Sequence, residues 1–210
     1  MTDSTDTTDT TDSAAATDAT DAADATSSMF PAGRTALIVR IPEAEPAVRD
    51  WQDRIDPAAR AGAGVPAHVS VLYPFLPEAL IDASVHAGIA AALRPHHAFD
   101  VRFERTGRFP GMLYLAPEPD APLRRLTLAL TERWPELRPY GGRYPDPVPH
   151  LTVAQRAREA DLDAAEAGLG SRLPVAARVR AVELVAYDGT AWRERARFAL
   201  REPGEREPKK

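Results

Sequence analysis

The chain has 210 residues, a formal net charge of −5 and no cysteine, which excludes disulfide bonds and thiolate zinc sites. No apolar stretch of the sequence is long enough to cross a membrane. The first 28 residues contain seven aspartates and neither Lys nor Arg, so the remaining stretch has a net charge of about +2. This slight cationic balance suits a small anionic substrate better than a large nucleic-acid footprint.

The two ends of the chain are predicted to be tails around one domain. Residues 1–28 consist only of Met, Thr, Asp, Ser and Ala, and this composition buries too little apolar surface to offset the entropy of ordering. They lack the basic start and the apolar run of a signal peptide, so we expect a cytoplasmic protein. Residues 29–202 are expected to form one domain and a monomer, and residues 203–210 a flexible tail.

In the first half of the domain, the sequence pattern predicts a strand, a helix, a second strand, a second helix and a hairpin. Apolar and β-branched runs favour strands, and apolar residues at helical spacing favour helices. Gly62, Gly64 and Pro66 separate the first helix from the second strand, HVSVLYPF. The predicted segments are strand 34–41, helix 44–55, strand 68–75, helix 78–94, and hairpin strands 98–105 and 112–116 around a turn at 107–111.

A similar order begins again at Pro122. The loop at 135–149 is rich in Pro and Gly and leads directly into His150, so we expect it to form a rim of a cleft. Each half contains a strand, a helix and a hairpin, which indicates an internal duplication within an α+β domain whose sheet is mostly antiparallel. The predicted segments of this half are helix 122–134, strand 150–155, helix 159–172, and strands 175–187 and 192–200.

The same four-residue pattern occurs twice, 82 residues apart, as HVSV at 68–71 and HLTV at 150–153. Side chains alternate along a strand, so His68 and Ser70 share one face, as do His150 and Thr152, while the apolar residues point to the other. If the two strands are symmetry-related neighbours, two imidazoles and two hydroxyls line one groove. One imidazole can then deprotonate an attacking oxygen, the other can protonate a leaving oxygen, and the hydroxyls can hold a phosphoryl group.

The two motifs, their spacing and the order of elements from about 34 to 200 resemble the two-histidine phosphoesterases, which include bacterial 2′-5′ RNA ligases and RNA 2′,3′-cyclic phosphodiesterases. The resemblance implies a bilobal, pseudo-twofold α+β fold in which two antiparallel sheets flank a central cleft, with helices packed outside. It implies hydrolysis of 2′,3′-cyclic phosphates on RNA or small nucleotides, or reversible 2′-5′ ligation, with no cofactor or metal ion.

The resemblance also implies a role for each motif residue. His68 would protonate the leaving oxygen, His150 would activate water, and Ser70 and Thr152 would hold the phosphate. Ser70 departs from the more usual Thr of the family, which keeps the hydroxyl and loses a methyl. Arg156, directly after the second motif, is a candidate substrate contact.

Two other functions stay open at this point. A non-catalytic RNA or nucleotide-binding module would use the same cleft without turnover, although both motifs are complete. A histidine-metal hydrolase is disfavoured, because His96 and His97 have no third ligand at metal-site spacing and His86 falls inside a predicted helix.

Overall fold

The structure, a computed structural model, describes residues 30–55 and 65–202. The predicted tails at 1–28 and 203–210 lie outside the described residues. The described helices are α1 (Glu45–Ile55), α2 (Ala83–Leu93), α3 (Ala121–Arg133) and α4 (Glu159–Leu169). The strands are β1 (Thr35–Arg40), β2 (His68–Leu72), β3 (Phe99–Phe109), β4 (Met112–Glu118), β5 (Leu151–Gln155), β6 (Val175–Val179), β7 (Ala181–Tyr187) and β8 (Trp192–Ala199).

These strands form one antiparallel sheet in the order β6-β3-β4-β5-β2-β1-β7-β8. The α+β class is confirmed, but the prediction of two sheets is wrong. The two motif strands pair with each other, Val69 opposite Leu151, and this pairing joins the two halves into one sheet. Four strands lie on each side of this central junction, and each side contains strands from both predicted halves.

The sheet is strongly curled. β6 and β7 are separated along the chain only by Arg180, yet they are the first and seventh strands of the sheet. Two residues of chain span at most about 7 Å, so the sheet must bend until its β6 edge approaches β7. The predicted single strand 175–187 is therefore two strands that lie in different parts of the sheet.

The helices cover one face of the sheet and leave the motif side chains on the other. α1 packs on β5, α3 on β2, and α4 on β4 and β5. The apolar motif residues are buried beneath them in the main hydrophobic core: Val69, Val71, Leu151 and Val153. The polar motif residues are half-buried on the opposite face, which we call the open face: His68, Ser70, His150 and Thr152. The predicted alternation along both motif strands is confirmed.

Most predicted helices and hairpins are confirmed, with small differences at their ends. The largest difference is the start of α2, predicted at 78 and observed at Ala83. Asp82 caps this helix, because its carboxylate accepts the Val85 backbone N–H at 2.9 Å and the Ser84 hydroxyl at 2.7 Å. None of the described helices combines the length and apolar character needed to span a membrane.

Candidate active site

The register between β2 and β5 arranges the four polar motif side chains as a quadrilateral on the open face. Because Val69 pairs with Leu151 in an antiparallel ladder, His68 lies across from Thr152 and Ser70 across from His150. Opposite residues in such a ladder have Cβ atoms about 5 Å apart, and diagonal neighbours are about 7–8 Å apart. The imidazoles therefore occupy one diagonal and the hydroxyls the other.

Both imidazoles are held in the same way by the backbone. Nδ1 of His68 is bonded to the Pro66 carbonyl at 3.0 Å, and Nδ1 of His150 to the Val148 carbonyl at 2.8 Å. A carbonyl oxygen only accepts, so each Nδ1 must donate its proton. This fixes the tautomer of each neutral ring and leaves Nε2 for proton transfer with a substrate.

Burial lowers the pKa of both motif histidines below the ordinary value of 6.5. For His68, the positive charges of His150 and Arg40 lower the pKa further, while the bond to Pro66 opposes the shift. Since His68 responds to charge on His150, protonation of one ring disfavours protonation of the other. The coupling therefore disfavours the state in which both rings carry a proton.

A network of charges lies beside His68. Arg40 is its cross-strand neighbour on β1, and this guanidinium forms ion pairs with Glu183 and, at 2.9 Å, with Glu194. Glu183 is only 2% exposed and also pairs with Arg197 at 2.8 Å. Burial raises the pKa of Glu183, and the two arginines oppose that shift. The carboxylates partly neutralise Arg40 and so limit its repulsion of a proton on His68.

Three aromatic rings contact His150, and we call them the aromatic wall: Phe109, Tyr114 and Tyr140. Their ring centroids lie 5.4, 5.5 and 6.1 Å from the imidazole, respectively. Phe109 and Tyr114 also stack on each other at 4.6 Å. These rings shield His150 from water, which accounts for the burial that lowers its pKa.

Gly107 makes the position of Tyr114 possible. A Cβ at this position would lie 2.3 Å from Cζ of the Tyr114 ring, which is far inside van der Waals contact. The residue falls within β3, and the predicted turn at 107–111 is shorter than expected because β3 continues to Phe109. A single glycine inside a strand often indicates that another group packs closely against the backbone there, and Gly107 was the one sequence signal for the aromatic wall.

Tyr140 reaches the site from the loop at 135–149, which agrees with the expected rim. Its ring lies nearly parallel to the His150 imidazole, at an angle of 25°. Burial raises the pKa of Tyr140 to about 12, and the nearby Ser70 side chain opposes that shift. The motif analysis missed this residue, because nothing in a Pro-rich loop indicates which side chain turns inward.

The other sequence-predicted residues lie apart from the quadrilateral. Arg156 is exposed and follows β5 with φ 55°, beside the hairpin turn at Gly111, and its contact with substrate stays a prediction. His96 and His97 line a separate cavity of about 320 Å³. His86 lies on α2, near the ring of Phe198. Across 30–55 and 65–202, no group of three or more His, Cys, Asp or Glu is arranged to hold a metal ion.

Known proteins resemble this chain in sequence and in fold. The sequence model of a family described as the 2′-5′ RNA ligase superfamily matches residues 41–191, well over half of the chain. The structure of E. coli LigT complexed with 3′-AMP is 18% identical, with a TM-score of 0.53, and the match covers 81% of this chain and 99% of LigT. The protein TT0787 of Thermus thermophilus is 23% identical, with a TM-score of 0.55, over 80% of this chain and 98% of that protein. At such identities the structural likeness shows the fold alone. No curated protein sequence matches the chain.

Proposed function

The chain belongs to the 2′-5′ RNA ligase superfamily, and on this premise we propose that it hydrolyses 2′,3′-cyclic phosphates on RNA ends or small nucleotides. The pairing of Val69 with Leu151 is the observation that supports this best, since it places the two imidazoles and the two hydroxyls of both motifs together on one face of the sheet. E. coli LigT has been crystallised with 3′-AMP, with phosphate and with ATP, and all of these are phosphate ligands. A phosphate site between the motifs agrees with that set.

In the proposed reaction, His150 is the base and His68 the acid, an order taken from the family resemblance. Nε2 of His150 accepts a proton from water as the water oxygen attacks phosphorus. The bond from phosphorus to one ribose oxygen breaks, and Nε2–H of His68 donates a proton to that oxygen. The products are a phosphate monoester and a free hydroxyl, and one proton has moved from one ring to the other.

The hydroxyls of Ser70 and Thr152 are proposed to donate hydrogen bonds to the non-bridging phosphoryl oxygens. Such donors stabilise the charge that develops in the transition state, and removing one typically slows a reaction about 10²- to 10³-fold. The proposed steps use no metal ion. The 5′-hydroxyl of a second strand can attack the cyclic phosphate in place of water, with the same ribose oxygen leaving. Ligation that forms a 2′-5′ linkage by the same four residues is therefore included in the proposal.

The experiment is turnover of 2′,3′-cyclic mononucleotides and of an RNA oligonucleotide ending in a 2′,3′-cyclic phosphate, with products resolved by chromatography. His68→Ala and His150→Ala should each lose about 10²- to 10⁴-fold in rate with the fold intact by circular dichroism. The double variant should lose little more, because the two rings act as a unit. The matched control is His97→Ala, an exposed histidine outside the quadrilateral, which should keep full activity.

Three outcomes would contradict the proposal. Full activity of either alanine variant would contradict the mechanism in which the two histidines act as a paired acid and base. Binding of the cyclic nucleotide by the wild type, without product, would favour the non-catalytic module instead. Loss of activity on dialysis against a chelator, with recovery on adding a divalent metal, would favour a metal hydrolase.

A further inference from the structure

The loop at 135–149 and α3 border a cavity of about 620 Å³ beside the proposed active site. Its walls are mostly apolar and include five prolines of the loop, Leu128 of α3 and Tyr144. One of these prolines, Pro149, directly precedes His150, so the cavity reaches the start of the second motif. The volume lies within the range of small-ligand sites, about 300–1,000 Å³. No step of the proposed reaction uses this space.

Large apolar and aromatic side chains are exposed around this cavity. Leu128 is 56% exposed and Tyr144 is 53% exposed, and Val148 on the same loop is 37% exposed. Within residues 30–55 and 65–202, Leu80 is the one other large apolar side chain with such exposure. Single exposed apolar residues are normal, but a group of them around a cavity indicates a binding surface.

Aromatic contacts connect Tyr144 to the proposed site. Its ring meets the Tyr140 ring edge to face, with centroids 5.9 Å apart, and Tyr140 stacks on His150 at 6.1 Å. Tyr144 is thus two ring contacts away from the proposed base. Phosphates of one strand follow each other at about 3.4 Å along a stacked helix, and farther apart in an extended strand. The first or second nucleotide before a bound cyclic phosphate therefore reaches Tyr144.

The cavity also has a cation that is available to a ligand. Arg124, on the α3 side, forms ion pairs with Asp120 and Asp146, each at 2.7 Å. Arg138, on the loop side, packs its stem beside Gly142, and among the described residues its guanidinium has no carboxylate partner. An aromatic ring beside such a guanidinium suits a single nucleic-acid strand, because the ring stacks on a base and the cation binds a phosphate.

We propose that this cavity binds the RNA strand just before its cyclic phosphate, with one base stacked on Tyr144 and one phosphate bound to Arg138. The inference rests on the proposed function, and it names RNA ends rather than mononucleotides as the preferred substrate. A site for one or two nucleotides agrees with the slight positive charge after residue 28, which is too small for a large nucleic-acid footprint. Stacking tolerates any base, so the site selects a strand and not a sequence.

The experiment compares a 2′,3′-cyclic mononucleotide with a trinucleotide that ends in a 2′,3′-cyclic phosphate. The wild type should turn over the trinucleotide with a kcat/KM at least about fivefold higher, because one base stacked on an aromatic ring contributes that much or more. The gain should lie in KM, since the stacked base is distant from the reacting bond. Tyr144→Ala should lose the preference, whereas Tyr144→Phe keeps the ring and should keep it.

Arg138→Gln tests the phosphate contact. It should raise the KM of the trinucleotide and make that KM less dependent on salt, since one contact to a single strand changes the slope of log KM against log salt concentration by about 0.7. The matched control is Leu80→Ala, because Leu80 is 60% exposed and lies outside the cavity. It should keep the wild-type kcat/KM on both substrates.

Each outcome decides the inference. Equal kcat/KM of the wild type on both substrates overturns it, leaves hydrolysis of cyclic phosphates intact, and assigns the exposed patch to another partner, such as a protein segment. A preference that persists in Tyr144→Ala also overturns it, because the strand then binds elsewhere. A preference lost equally in Tyr144→Phe overturns stacking on the ring. Absence of turnover on either substrate overturns the proposed function and this inference together.

Discussion

Replacing Gly107 with Ala should damage the site by displacing one ring. The new Cβ would lie 2.3 Å from Cζ, 2.4 Å from the hydroxyl oxygen and 2.6 Å from Cε2 of Tyr114. Carbon atoms pack at about 3.5–4.0 Å, so the ring must move by about 1 Å or more. Gly107 does not have a positive φ, so the strand backbone accepts Ala and the clash is the only penalty.

The displaced ring stacks on Phe109 and touches His150, and Tyr114 is the cross-strand neighbour of Thr152. Overpacking of this kind costs about 1–3 kcal/mol of stability. A shift of about 1 Å in a catalytic group lowers rates by as much as about 100-fold, so we expect kcat to fall between about 10- and 100-fold. Urea unfolding measures the stability change, and turnover of a 2′,3′-cyclic nucleotide measures the rate.

Gly168→Ala is a matched control on the helix side of the sheet. Its Cβ would lie 2.3 Å from Cζ2 of Trp51, a similar overlap with an aromatic ring that is not part of the aromatic wall. Ala is favoured over Gly within a helix by about 0.5–1 kcal/mol, so the net loss of stability should be smaller than for Gly107→Ala. The kcat of Gly168→Ala should be unchanged. If Gly107→Ala loses stability while kcat stays at the wild-type value, the aromatic wall does not position His150.

Three further predictions follow from the same geometry. Tyr140→Leu uncovers His150, whose pKa is lowered by burial, so that pKa should rise towards 6.5 and the acid limb of kcat/KM should move to higher pH in a pH–rate profile. The folded pKa of His68 lies below its unfolded value, so the unfolded chain binds more protons between the two values. The stability contributed by neutral His68 is therefore complete above about pH 6.5 and is lost as the pH falls from there towards the folded pKa. The midpoint of urea unfolding should fall less steeply with decreasing pH in His68→Ala than in the wild type. Gln52→Leu removes a 2.8 Å hydrogen bond to the Thr152 carbonyl at the β4–β5 bulge and should cost about 0.5–1.5 kcal/mol in urea unfolding.

Local pattern was enough to predict the faces of the motif strands. Alternation along HVSV and HLTV has a period of two residues, and this period alone puts each histidine and hydroxyl on the face opposite the apolar residues. The same holds for the helices, whose apolar spacing is visible within a few turns. These features depend on neighbours in sequence, so the sequence by itself determined them.

Pairing between distant strands was not visible in the same way. The hairpin β3–β4 pairs with β5, the motif strand of the other half, and β7–β8 joins β1 and β2. The duplicated order of elements does not reveal that each hairpin pairs with a strand of the other half, because the strands of both halves offer similar edges for pairing. The single sheet results from the short pairing of the two motif strands, which the two-sheet prediction did not foresee.

The division between β6 and β7 and the aromatic wall needed the tertiary structure. Residues of the main core have odd numbers in β6, such as Val179, and even numbers in β7, such as Val182. The run VAARVRAVELVAY is apolar enough to hide this change in alternation. Tyr140 lies against His150 in a loop that is held at two places. The Tyr140 N–H donates to the Tyr73 carbonyl at 2.6 Å, and Asp146 forms an ion pair with Arg124 of α3 at 2.7 Å. Sequence period determined which way each motif side chain points, whereas sheet curl and loop closure, which depend on contacts far apart in the chain, decided what those side chains meet.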